Sequence, residues 1–230
     1  MKEIKVMGLN LEQIKVSDEF AERFEKEQRQ NKINQKIVRC IPEGYRDKIF
    51  DSFICSNDIQ VKILEQFKKF SEEIKQGSFI SVCCLGSYGI GKTHLACAVM
   101  IDVIQNGIKE IYGFQCGMSA SYITSDKIRE RWERAKRFDS LESQSDVIES
   151  FCNSDLLVID EIGRSNNPEI EKELLYQITD LRDRKKKSSF YLSNLKFEEF
   201  AKLLGGATMD RLKNSAVFPS FDGLQSHRGQ

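Results

Sequence analysis

The sequence predicts an α/β fold built on a mostly parallel sheet flanked by helices, and three stretches predict it. The first runs from apolar Phe79-Ile80-Ser81-Val82-Cys83-Cys84-Leu85 through Gly86-Ser87-Tyr88-Gly89-Ile90-Gly91-Lys92-Thr93 into the almost wholly apolar Leu95 to Ile104. The second is Leu156-Leu157-Val158-Ile159-Asp160-Glu161, and the third is Ser188-Ser189-Phe190-Tyr191-Leu192-Ser193-Asn194. Short apolar runs of this length, without alternation, read as parallel strands buried on both faces.

Strand, glycine loop and helix in that order give the loop its meaning. Gly86 to Thr93 fits G-x-x-x-x-G-K-[ST], a phosphate-binding loop. Gly86, Gly89 and Gly91 let the backbone turn tightly so that consecutive N–H groups point at one phosphate. Lys92 adds a positive charge near the β and γ oxygens, and the Thr93 hydroxyl is placed to ligate Mg²⁺. The helix that starts there adds its positive N-terminal end, and Asn106-Gly107 closes it like a C-cap.

The second strand ends in two acids. Asp160 is where a carboxylate would hold Mg²⁺, directly or through water, and Glu161 is placed to orient and deprotonate the attacking water. The third strand brings Asn194 to the same sheet edge, where ligands of open α/β sheets collect. Taken together these residues predict a nucleoside triphosphate site with Mg²⁺.

With 230 residues, 40% hydrophobic and 30% charged, the chain suits one α/β domain with a small extra piece. Lys+Arg and Asp+Glu both number 35, which argues against strong free-standing nucleic-acid binding. Seven cysteines without a C-x-x-C pair read as reduced, small apolar residues of a cytosolic protein. Neither a signal peptide nor a membrane span is legible, so the expectation is a soluble, cytoplasmic protein with no membrane partner.

From the N-terminus, Ser17 to Lys36 is dense in charge, with Phe20, Phe24, Ile33 and Ile37 at helical spacing. It reads as a charged amphipathic helix, either an arm on its own domain or a partner-binding element. Ile41-Pro42-Glu43-Gly44 is turn chemistry and sets the expected boundary between residues 1–40 and 41–230. A helix capped near Asn57 and ended by Gly77 follows, with Ile63, Phe67, Phe70 and Ile74 on one face. Ser119 to Ile123 is a strand candidate, and Tyr112 to Cys116 is another.

Thr124-Ser125-Asp126 then caps a helix to about Phe138, with Ile128, Trp132 and Ala135 inward. Its outer face carries Lys127, Arg129, Arg131, Arg134, Lys136 and Arg137 against Asp126, Glu130 and Glu133. The plainer reading is a solvated face laced by ion pairs, the sharper one a stripe along a nucleic-acid backbone. Asn166-Asn167-Pro168 opens the next helix, whose inner stripe is Ile170, Leu174, Ile178 and Leu181. Arg184-Lys185-Lys186-Lys187 reads as its solvated end.

In this order the pieces resemble the DnaC-type replicative helicase loaders, a branch of the AAA+ ATPases with IstB-type transposition helpers as close relatives. The matching stretches are Gly91-Lys92-Thr93-His94-Leu95-Ala96, Val158-Ile159-Asp160-Glu161-Ile162-Gly163, Ser193-Asn194-Leu195, Leu203-Leu204-Gly205 with Met209-Asp210-Arg211-Leu212, and Ser226-His227-Arg228. The resemblance implies the P-loop AAA+ three-layer fold with a short helical N-terminal extension. It implies ATP or ADP as the nucleotide and slow ATP hydrolysis by a lone subunit, with Asn194 as a sensor of the γ-phosphate or water. It also implies Arg211 as an arginine finger reaching a neighbouring subunit, and Arg228 as a second sensor on the chain's own nucleotide. Phe50 and Phe53 correspond to the segment lining the adenine pocket, and His94 falls within the loop's matching stretch. The partners implied are a hexameric replicative helicase, single-stranded DNA near residues 124–153, and a homo-oligomer or helical self-assembly.

One departure bears on assembly. Loaders often carry Gly-Glu-Arg ahead of the Asp-Arg pair, whereas this chain has Gly205-Gly206-Ala207. Three rivals remain beside the loader: an IstB-like helper presenting DNA to a transposase, a small-molecule kinase on the same scaffold, and an adaptor gated by nucleotide with little hydrolysis.

Overall fold

A computed structural model describes residues 18–221 and 224, with side chains from residue 22 onward. The chain divides into two compact units, Met1–Lys36 and Ile37–Gln230. Helix α1, Asp18–Cys40, supplies the described part of the first unit, where Phe24 is exposed. In the second unit Arg46 closes the end of α1 by donating to the Val38 and Ile41 carbonyls at 2.9 and 3.2 Å.

The second unit is organised by five strands: β1 (Ser81–Cys84), β4 (Ala120–Thr124), β5 (Leu156–Ile162), β6 (Ser188–Ser193) and the short β7 (Ala216–Val217). Their order is β4-β5-β6-β1-β7, and every pairing is parallel. β1, β5 and β6 are buried almost throughout, as expected for strands covered on both faces.

Helices form the two covering layers. On one side, Cys83, Leu157, Ile159 and Tyr191 meet α4 (Ser125–Arg134), α5 (Gln144–Ser150), α6 (Pro168–Arg184) and α7 (Phe197–Ser215) in a single cluster. Alternation sends Phe190 to the other side. There the rings of Phe67 and Phe70, on α2 (Asp58–Lys75), stand edge-on to it at 6.0 and 6.3 Å. Helix α3, Lys92–Asn106, packs beside α2 on that face. The expected three-layer architecture, a mostly parallel sheet flanked by helices, is therefore the observed one.

Local signals place the helix ends. Asn57 accepts the Gln60 N–H at 2.9 Å to start α2, and Ile63, Phe67, Phe70 and Ile74 are its buried stripe. Asn167 caps α6 with Pro168 in its first turn, and Leu174 and Ile178 are buried while Ile170 and Leu181 pack at the cluster's margin.

Two expectations need correction. Tyr112 to Cys116 is not one strand: it straddles the turn of a hairpin between β2 (Ile108–Ile111) and β3 (Phe114–Gly117). Tyr112 and Gly113 make that turn at φ of 51° and 81°, the left-handed pair that matches strand twist. Helix α4 ends at Arg134 rather than near Phe138, and Phe138 is fully exposed. Asn106-Gly107 does end α3 as expected: Gly107 is its C-cap, with φ −75° and its N–H donating to the Val103 carbonyl at 2.9 Å.

Candidate nucleotide site

The carboxyl ends of β1, β4, β5 and β6 open into one cavity of about 760 Å³, with Gly89, Gly91, Lys92, Thr93, Asp160, Glu161 and Asn194 among its lining residues. β1 delivers the glycine loop. Gly91 sits at φ +94°, and a Cβ there would meet the Phe53 ring at 2.6 Å, so this position needs glycine twice over. Gly91 is also the residue before α3, so the first N–H groups of a long helix face the cavity.

Lys92 is 6% exposed, and its Nζ donates to the carbonyls of Gly86 and Ser87 at 2.7 and 2.8 Å. The same ammonium donates to Asn194 Oδ1 at 2.8 Å. The loop thus curls around its own lysine, and the polar tip of β6 reaches that charge as the sheet-edge argument anticipated.

Across the cavity, the Thr93 hydroxyl donates to Asp160 Oδ2 at 2.8 Å. Tyr122, on β4, donates its phenol to the same oxygen at 2.8 Å, while Oδ1 accepts the Glu161 N–H at 2.7 Å. Burial and the adjacent Asp160 push the Tyr122 phenol far above its usual range, so it stays a donor. Thr93 and Asp160 together offer the hard oxygen donors that Mg²⁺ takes, beside a cationic phosphate cradle. The residues fit that metal.

Glu161 lies inside β5, not at its end. Its φ is +60°, and the β5–β6 register shifts between Ile159 and Ile162. This irregularity turns the Glu161 side chain out to the cavity while Asp160 stays 7% exposed. Arg164 donates to Glu161 Oε1 at 2.6 Å, with its guanidinium 5.8 Å from the Tyr88 ring centre.

At the far end, Phe53, Ile54, Tyr45 and His94 line the cavity. His94 Nε2 lies 3.2 Å from both Ser52 Oγ and the Ile49 carbonyl, and its ring stands edge-on to Phe53 at 5.2 Å. Burial lowers the His94 pKa and favours its neutral form.

Not every residue singled out in the sequence reaches this cavity. Phe50 forms a single helical turn, Phe50–Ser52, but does not line it; nor do Gly86 and Ser87, whose carbonyls turn to Lys92, nor Ile90, which is buried at 1% exposure. Arg211 stands on α7, paired with Asp180 and 5.7 Å from the Tyr176 ring centre, away from the cavity. Arg228 lies outside the described residues. Sequence reasoning missed Tyr122, Arg164 and Lys127, which line the cavity. For Tyr122 the signal was its strand: parallel pairing sets Thr124 beside Asp160, so a polar residue two earlier shares that face.

On α4, the plainer reading accounts for much of the charge. Arg129 pairs with Asp126 and Glu133 at 2.7 and 2.8 Å, and Arg131 pairs with Glu142. Among the described residues no helix is long and apolar enough to cross a membrane.

Known proteins resemble this chain in sequence and in fold. Residues 25–217 match the family described as IstB-like ATP binding protein. The replicative helicase loader DnaC of Escherichia coli K12 is 30% identical over 191 residues, covering 83% of this chain and 73% of the relative. DnaC of Buchnera aphidicola from Acyrthosiphon pisum is 28% identical over 212 residues, covering 90% and 79%. A crystal structure of the DnaC helicase loader superposes with a TM-score of 0.63 at 19% identity, over 77% of this chain and 98% of that one. A replication initiator DnaA bound to AMPPCP and single-stranded DNA gives 0.61 at 16% identity, over 79% and 51%. This chain belongs to the IstB-like ATP-binding protein family and is DnaC-like in sequence.

Proposed function

We propose that the chain binds ATP with Mg²⁺ and hydrolyses it to switch a replicative helicase between held and released states on single-stranded DNA. The observation that carries the reading is the meeting of Lys92, Thr93, Asp160, Glu161 and Asn194 in one cavity. The backbone of residues 86–91 and Lys92 bind the phosphates, and Asn194 sits against the Lys92 ammonium where it senses the terminal one. Thr93 and Asp160 hold Mg²⁺, which when bound neutralises charge on the β and γ oxygens. Glu161 takes the proton of the attacking water once Arg164 releases its carboxylate. Phe53 and His94 flank the base, and Arg228 closes on the nucleotide.

Hydrolysis by a lone subunit is slow in this reading, because Arg211 acts on a neighbour's nucleotide. A finger supplied in trans is worth roughly 10³–10⁵ in rate. Residues 1–40 are the partner-binding extension and residues 41–230 the ATPase domain. The likeness in sequence to a helicase loader supports a replicative helicase as partner, and single-stranded DNA is proposed with it. The match to the IstB-like family supports a second reading, a helper that presents DNA to a transposase.

Capture from the native cell with Glu161→Gln as bait, in ATP and Mg²⁺, separates the two. Recovery of a hexameric helicase supports the loader, and recovery of a transposase without helicase replaces it with the helper.

A further inference from the structure

Glu171, in the first turn of α6, is 1% exposed. Its Oε1 accepts the Ser125 hydroxyl at 2.5 Å and the Gly163 N–H at 2.9 Å. Its Oε2 is buried with no hydrogen-bond partner. A carboxylate kept from water with part of its acceptor capacity unused is costly, so the fold must gain something from having it there. The two partners show what.

Gly163 stands two residues beyond Glu161, at φ +88°, and Leu195 fills the space a side chain would need. Glu161 itself holds φ +60°, a left-handed conformation that a non-glycine residue keeps only where its surroundings impose it. Beside the turn's own bond from the Arg164 N–H to the Glu161 carbonyl at 3.3 Å, three contacts hold it. Asp160 Oδ1 accepts the Glu161 N–H, Ser193 Oγ donates to the Ile162 carbonyl at 2.7 Å, and Glu171 accepts the Gly163 N–H. The first two come from the sheet; Glu171 is the one that comes from the helical layer. Its other partner, Ser125, is the first residue of α4, next to Thr124, which lines the cavity and pairs in register with Asp160.

We infer that Glu171 is a positioning residue: one buried carboxylate fixes the left-handed turn that carries Glu161 and ties it to the first turn of α4. The aim of Glu161 then depends on where α4 sits. The inference rests on Glu161 being the base, as proposed above. Glu171 itself touches neither nucleotide nor water. Its loss acts on turnover and leaves phosphate binding by the glycine loop alone.

The test uses the full chain, with nucleotide affinity, single-turnover hydrolysis and melting temperature measured for each variant. Glu171→Ala is expected to lower the hydrolysis rate about tenfold or more while affinity for a fluorescent ATP analogue stays within about twofold. Glu171→Gln keeps an acceptor for both donors and is expected to restore more than half the rate. Ser125→Ala, which removes one bond of the pair, is expected to slow hydrolysis severalfold at unchanged affinity, and it carries the test if Glu171→Ala does not fold. In a Glu161→Gln background, adding Glu171→Ala is expected to change the residual rate by less than about twofold, as for residues acting as one unit. The inference is overturned if Glu171→Ala hydrolyses at the parent rate, if affinity falls with the rate, if Gln fails to restore it, or if the double variant loses the full factor again. Should Glu161→Gln alone match the parent, the assignment of the base fails, and this inference fails with it for that separate reason.

Discussion

The hydroxyl of Thr93 and the carboxylate of Asp160 meet at 2.8 Å, from the first turn of α3 and the bulged end of β5. Two elements far apart in sequence thus present their oxygens to one point. Asp160→Asn keeps the shape and removes the charge. It is expected to weaken nucleotide binding about tenfold in Mg²⁺ and by less than about twofold in EDTA. Titration with a fluorescent adenine nucleotide under both conditions reads the difference, and equal loss in both contradicts a metal role.

Gly91→Ala would put a methyl into the Phe53 ring at a φ of +94°. The backbone term alone costs about 1–3 kcal/mol. The variant is expected to melt earlier and to lose nucleotide binding, whereas Gly44→Ala, which meets nothing, stays near the parent. Thermal denaturation of both variants checks this.

Asp155 marks the opposite end of the sheet. Its burial opposes ionisation, but Lys109 and Lys187, each at 2.6 Å, and the Ser119 N–H and hydroxyl hold its pKa at about 2. The folded value lies below the unfolded 3.8, so its stabilisation is present above about pH 4 and is lost as pH falls through about 2. That contribution is on the order of 2 kcal/mol. Asp155→Asn is expected to be less stable at pH 6 and to flatten the acid limb of stability against pH. An unchanged acid limb removes the assignment.

Arg211 is held by Asp180 on its own chain, an ion pair at the surface of α6 and α7. Arg211→Ala is expected to leave nucleotide affinity within about twofold and to lower hydrolysis only where copies associate, since a finger acts in trans. Rates measured against protein concentration decide it: a parent-like rate at every concentration removes the finger role.

The glycine loop, the acid pair and Asn194 were legible because each is a local pattern of spacing, and β1, β5 and β6 were legible as apolar runs. The hairpin of β2 and β3 was not, since its residues are mostly exposed and its turn is Tyr112-Gly113, outside the usual turn dipeptides. Glu161 was read as the end of a strand, while the structure carries β5 on to Ile162 through a bulge that no local pattern announced. Tyr122, Arg164 and Glu171 gain their meaning from register and packing across separate elements, which spacing along the chain does not encode. Lys187 shows the same limit: it reads as part of a solvated basic run, yet it folds onto Asp155.

The central claim is that the loop around Lys92 grips a triphosphate which Glu161 helps to cleave. It is met most directly by measuring binding of a fluorescent adenine nucleotide and release of phosphate together, in Mg²⁺, for the parent, Lys92→Ala and Glu161→Gln. The account predicts saturable binding by the parent and Glu161→Gln, phosphate release beyond a small residual rate by the parent alone, and neither binding nor release by Lys92→Ala. Failure of the parent to saturate, or phosphate release by Glu161→Gln at the parent rate, would contradict it.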